Sequence, residues 1–173
     1  SAPSLIGSYD SVGQARAVKI STDGNTAYVA DDSNGLIIVD ITSPGAPTLT
    51  GGYNTIGLSG GLDISPDGNT VYVSDGVNGL AVIDVTTPAS PALIGTYDAG
   101  GTVFGVTISS DGNTAYVVGG ADGLFILDVS TPTSPSFLYS FDTAGTASSV
   151  TLSSDGYSAY IGDIANGLVI LDI

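Results

Sequence analysis

Short apolar runs alternate with Gly- and Asp-rich punctuation along the whole chain, a pattern that predicts β-strands joined by tight turns. The runs recur in a fixed order. A first run, strand A, ends at Ile20, Ile64, Ile108 and Leu152, and Asp-Gly at 23/24, 67/68, 111/112 and 155/156 turns the chain into strand B with its Tyr28, Tyr72, Tyr116 and Tyr160. A second turn, Asn34-Gly35, Asn78-Gly79, Asp122-Gly123 and Asn166-Gly167, leads into strand C; such pairs tolerate the positive φ of hairpin turns. Strand C reads GLIIVDI, GLAVIDV, GLFILDV and GLVILDI, apolar almost throughout, as expected of a strand covered on both faces. Pro47, Pro91, Pro135 and Pro3 precede strand D, around Leu49 to Tyr53, Leu93 to Tyr97, Phe137 to Phe141 and Leu5 to Tyr9, and suit the start of an outer strand.

This order repeats without gaps every 44 residues over 21–64, 65–108 and 109–152, and residues 153–173 supply the first half of a fourth unit. Its second half stands at the other end, where 1–20 aligns with 45–64. One domain over 1–173 is expected: an all-β propeller of four four-stranded blades, the last completed by the N-terminal strand. The phrases GLIIVDITSPGAPTLTGGY, GLAVIDVTTPASPALIGTYD and GLFILDVSTPTSPSFLYSFD resemble the LVIVD-repeat family, propeller-forming repeats of bacterial and archaeal surface proteins. The resemblance implies a propeller and an extracellular or cell-surface setting, but no particular reaction.

Completing the split blade brings Leu5, Ile6, Gly7, Ser8 and Tyr9 beside Leu168, Val169, Ile170 and Leu171. The strand either latches onto its own last blade, which removes the open edge, or completes the blade of a second copy, giving a closed oligomer or a fibre.

Composition narrows the function. Seventeen Asp, no Glu, and only Arg16 and Lys19 as cations give a net charge of −15, which excludes nucleic acid and anionic membrane surfaces as partners. No apolar run is long enough to span a bilayer as a helix. The use of Asp alone points to turn-building. His, Cys, Met and Trp are absent, which removes thiol and imidazole chemistry and fits an oxidising exterior; a start at Ser1 is what a processed secreted protein would have.

The strongest candidate chemistry is Ca²⁺ at the B/C loops through Asp31, Asp32, Asp75 and Asp163. Gly119 interrupts that series and the ligand spacing is sparse, so turn formation is the preferred reading and no cofactor is expected. Carboxylates repeated in every blade form a symmetric ring, whereas acid–base catalysis needs two different environments, so no catalytic residue is expected. Lys19 and Asp63, at equivalent strand A positions, predict an ion pair near the axis, and the strand B tyrosines predict inter-blade packing. The function expected is a non-enzymatic extracellular or cell-surface structural protein that self-associates by β-strand complementation, as a filament or sheath. The alternative is a monomeric propeller that binds a protein or glycan through its loops.

Overall fold

A computed structural model describes residues 2–173. Its strands fall into four antiparallel sheets, the blades of a β-propeller, each following the chain from an inner to an outer edge. Blade 1 holds β1 (Ala17–Ile20), β2 (Thr26–Ala30), β3 (Leu36–Asp40) and β4 (Thr48–Tyr53). Blade 2 holds β5 (Leu62–Ile64), β6 (Thr70–Ser74), β7 (Leu80–Asp84) and β8 (Ala92–Tyr97). Blade 3 holds β9 (Gly105–Ile108), β10 (Thr114–Val118), β11 (Leu124–Asp128) and β12 (Ser136–Phe141). Blade 4 has three strands, β13 (Ala147–Leu152), β14 (Ser158–Asp163) and β15 (Gly167–Asp172), as a blade must whose outer strand comes from elsewhere.

The turns explain the preference for Asp. In the first, Ser21 Oγ donates to Asp23 Oδ1 at 2.6 Å, the Asn25 N–H donates to the same oxygen at 3.0 Å, and the Thr26 N–H donates back to Ser21 Oγ at 2.9 Å. The wiring recurs around Asp67, Asp111 and Asp155. A carboxylate one methylene from the backbone reaches the N–H two residues on, and Glu would overshoot it. The serine hydroxyl first, then the backbone N–H, holds each of these carboxyls below the ordinary Asp value of 3.8. The four-residue turn tips end in Gly24, Gly68, Gly112 and Gly156, all at φ between 75° and 78°.

Each complete blade carries a bulge where its outer strand joins. Ile38 faces Gly51 but Val39 faces Leu49, leaving Thr50 as the extra residue; Ile94 and Leu138 are extra in blades 2 and 3.

Three hydrophobic cores join blade 1 to 2, 2 to 3 and 3 to 4. Among the described residues no such cluster joins blade 4 to blade 1. Equivalent positions show the consequence directly: Leu36, Leu80 and Leu124 are 0% exposed, whereas Leu168 is 64% exposed. At the other end Val18 is 59% exposed, against 3% for Leu62 and 6% for Val106. The stack therefore has two uncovered faces. Residues 2–16 form no strand, and Leu5 to Tyr9 do not pair with β15 in this structure.

Candidate assembly surface

The N-terminal segment has a defined place. A β-carbon at Gly7 would run into the Pro44 carbonyl of blade 1, as one at Gly51 would into the Pro88 carbonyl and one at Gly95 into the Pro132 carbonyl. Gly51 and Gly95 belong to outer strands packed against the next blade; Gly7 stands to blade 1 as they stand to blades 2 and 3. Farther on, Gly13 lies over Asp31 and Asn34 just as Gly57 lies over Asp75 and Asn78. The segment thus runs where the outer strand of a preceding blade would run, with no inner strands beside it.

A half-buried hydroxyl–carboxylate contact fastens it. Ser11 Oγ donates to Asp31 Oδ1 at 2.9 Å, and Asn34 Nδ2 donates to Asp31 Oδ2 at 2.7 Å. The counterparts are Thr55 to Asp75, with the Gly57 N–H and Asn78 Nδ2 also donating to Asp75, and Thr143 to Asp163 at 2.6 Å. Each joins the loop after one outer strand to the B/C loop of the next blade. The Thr143 hydroxyl, foremost, holds the Asp163 carboxyl below its ordinary value. The junction of units 2 and 3 lacks both halves: Ala99 stands where the hydroxyl would be and Gly119 where the carboxylate would be. The paired loss is legible in the sequence only when Ala99 and Gly119 are compared together.

The Ca²⁺ candidates are accounted for in other ways. Asp31, Asp75 and Asp163 are buried and occupied by these bonds, and Asp32 pairs with Arg16 at 3.2 Å. Among the described residues no three carboxylates stand together as a metal site. Lys19 and Asp63 do pair, at 3.0 Å, and the other Asp63 oxygen accepts the Ile108 N–H at 2.9 Å, tying three inner strands together. Tyr28, Tyr72 and Tyr116 lie in the inter-blade cores, and burial, with the nearby turn carboxylate second, pushes their hydroxyls above the ordinary value of 10.0.

Two concavities lie beside the N-terminal segment and the loops that follow it. One, about 310 Å³, lies between the N-terminal segment and the uncovered face of blade 1, walled by Tyr9, Ala15, Val29, Ile37, Val39 and Ile41. The other, about 650 Å³, opens among the loops of blades 1 to 3, where Ile56, Leu58, Val77 and Phe104 surround the Arg16–Asp32 pair. At the opposite end of the stack, β15 has one hydrogen-bonding edge without a neighbour. Of its residues expected at the interface, Val169 and Leu171 pack inward against blade 3, while Leu168 and Ile170 face outward and are exposed.

The sequence profile of the LVIVD repeat matches residues 12–55, 61–99, 100–143 and 144–173. The chain belongs to the LVIVD-repeat family. It has no detectable relative among curated proteins. Among solved structures it is similar to a functionally unknown protein from Desulfotomaculum acetoxidans DSM 771, at 20% identity and a TM-score of 0.80, covering 92% of this chain and 55% of the other. Kuenenia stuttgartiensis hydrazine synthase matches at 19% identity and a TM-score of 0.69, over 91% of this chain and 46% of the other. A chain of a mitotic checkpoint complex matches at 18% identity and a TM-score of 0.76, over 91% and 50%. These likenesses are of fold, and this LVIVD-repeat chain spans about half the length of the structures it matches.

Proposed function

We propose that this LVIVD-repeat chain is a non-enzymatic structural protein of the cell surface whose copies join by β-strand complementation. One observation carries the reading: residues 2–16 hold the position of an outer strand beside blade 1 with no blade of their own, while β15 ends a blade that lacks an outer strand. The two ends are complementary halves of a single blade. Leu5 to Tyr9 of one copy would add to the edge of Leu168 to Leu171 in another, and the main-chain bonds so formed would remove an edge that is otherwise a template for indiscriminate pairing. The extracellular setting is supported by the absence of cysteine and by the family's surface proteins. Only Arg16 and Lys19 offer trypsin-like proteases a cleavage point, which fits this reading and the second one equally.

Light scattering on the size-excluded chain, followed by negative-stain imaging, tests this. The 173-residue chain, 17.1 kDa as a monomer, is expected to form oligomers or fibres, and a variant lacking residues 1–9 to run as a monomer of smaller mass. An intact chain that stays monomeric at high concentration, or a truncated one that assembles equally well, refutes the reading.

A second reading, a module that binds a protein or glycan, is favoured by the 650 Å³ concavity with its exposed Ile56, Leu58 and Val77. It predicts a monomer whose ligand binding is lost on Leu58→Asp and unaffected by loss of residues 1–9.

A further inference from the structure

The cleft on blade 1 has the lining of an inter-blade core with half its contents missing. In the core between blades 2 and 3, blade 2 contributes Tyr72, Leu80 and Val82, and its outer strand and following loop add Ile94, Tyr97 and Ala99. Blade 3 contributes, among others, Val106, Ala115, Val117 and Leu127. Shifted back by two repeats, the blade 3 set becomes Val18, Ala27, Val29 and Val39 on blade 1, and the outer-strand set becomes Ile6, Tyr9 and Ser11. Most of these wall the cleft. What is missing is the counterpart of Tyr72, Leu80 and Val82. Shifted forward by two repeats, those positions are Tyr160, Leu168 and Ile170, on the uncovered face of blade 4.

We propose that Tyr160, Leu168 and Ile170 of one copy fill the cleft beneath Tyr9 of a second copy, forming a fourth inter-blade core across the junction. The proposal rests on self-association and says which faces meet: head to tail, blade 4 against blade 1, never like against like. The backbone favours the same orientation. Within the chain, each B/C loop bonds to the start of the next inner strand: the Ser59 N–H to the Asp32 carbonyl at 3.0 Å, Val103 to Gly76 at 3.0 Å and Ala147 to Gly120 at 2.9 Å. The same step across the junction pairs the Ala15 N–H with the Ile164 carbonyl.

The test uses two full-length variants at residues already exposed, Leu168→Asp on the blade 4 face and Val18→Asp on the blade 1 face, with Val77→Asp, outside both faces, as control; circular dichroism verifies the fold of each. Each of the first two is expected to weaken self-association by about 100-fold, since a carboxylate then enters a desolvated core. The control is expected to associate like the parent. An equimolar mixture of Leu168→Asp and Val18→Asp is expected to give a 1:1 complex of twice 17.1 kDa, because each variant retains the face the other has lost. Association of the parent with no loss in either variant overturns the fourth core but leaves strand complementation standing. Loss in both without rescue on mixing overturns the head-to-tail orientation, and a monomeric parent overturns the reading beneath both.

Discussion

Replacing Asp75 by Gly removes the carboxylate at the centre of the best-connected hydroxyl–carboxylate fastening. Asp75 is 2% exposed and accepts from the Thr55 hydroxyl, the Gly57 N–H at 3.2 Å and Asn78 Nδ2 at 3.0 Å. The Thr55 hydroxyl keeps Ser59 Oγ at 3.0 Å as a partner, so two donors are stranded, at about 1 to 3 kcal/mol each. The expected loss is about 3 kcal/mol, or roughly 6 to 12 °C in Tm for a domain of this size. Thr55→Ala alone strands one lone-pair site of the carboxylate and costs about 2 kcal/mol. The double variant reproduces Ala99 and Gly119 at the junction of units 2 and 3, which folds without the pair. It is therefore expected to lose about 1 to 2 kcal/mol less than the sum of the singles, and adding Asn78→Asp, the counterpart of Asp122, completes the alternative solution. Urea unfolding of the four proteins in a double-mutant cycle measures this coupling. Costs that add to within about 0.5 kcal/mol refute the idea that hydroxyl and carboxylate act as one unit.

The turn carboxylates have folded-state values below 3.8, so their contribution to stability is present above that pH and is lost as pH falls through the lowered values. Acid unfolding followed by circular dichroism should accordingly begin below, not above, the ordinary carboxylate range. The buried tyrosines carry the opposite sign: their stabilisation is complete below pH 10.0 and disappears above it, so ultraviolet titration should show Tyr28, Tyr72 and Tyr116 ionising together with alkaline unfolding. Ile56 is a β-branched residue at φ 75° and 90% exposed, whereas the corresponding residue of unit 2 is Gly100 at φ 73°; Ile56→Gly should raise stability by about 1 kcal/mol in chemical denaturation. Copies that each carry −15 repel one another, so raising salt from about 50 to 500 mM should tighten self-association, and weakening instead would mean that ion pairs dominate the junction.

Blades 1 to 3 were readable from the sequence because their turns, inner strands and outer strands recur at a constant interval, and local rules agree with the tertiary packing at each step. The region 5–9 carries the same outer-strand pattern yet forms no strand, because a strand is made by its neighbour and the described residues offer none. Exposure was unreadable for the same reason: Leu36 and Leu168 occupy equivalent positions in near-identical runs, GLIIVDI and GLVILDI, and the presence or absence of a facing blade separates them. The Ca²⁺ reading weighed the carboxylates without the hydroxyls 20 positions earlier that consume them. Comparing units column against column, so that Ala99 and Gly119 were seen to change together, would have revealed that dependence.

The extra residue at each outer-strand junction bears on how a donated strand would seat itself. Thr50, Ile94 and Leu138 correspond to Ile6, so pairing on the same pattern would set Tyr9 against Leu168, Gly7 against Ile170 and Leu5 against Leu171, with Ile6 bulged between. A straight ribbon slides along an edge in steps of two residues with little penalty, but a kinked one fits at a single setting. Ile6 would then act as an indexing notch, and a copy docking two residues out of line would be rejected by the shape of the backbone before any side chain is read.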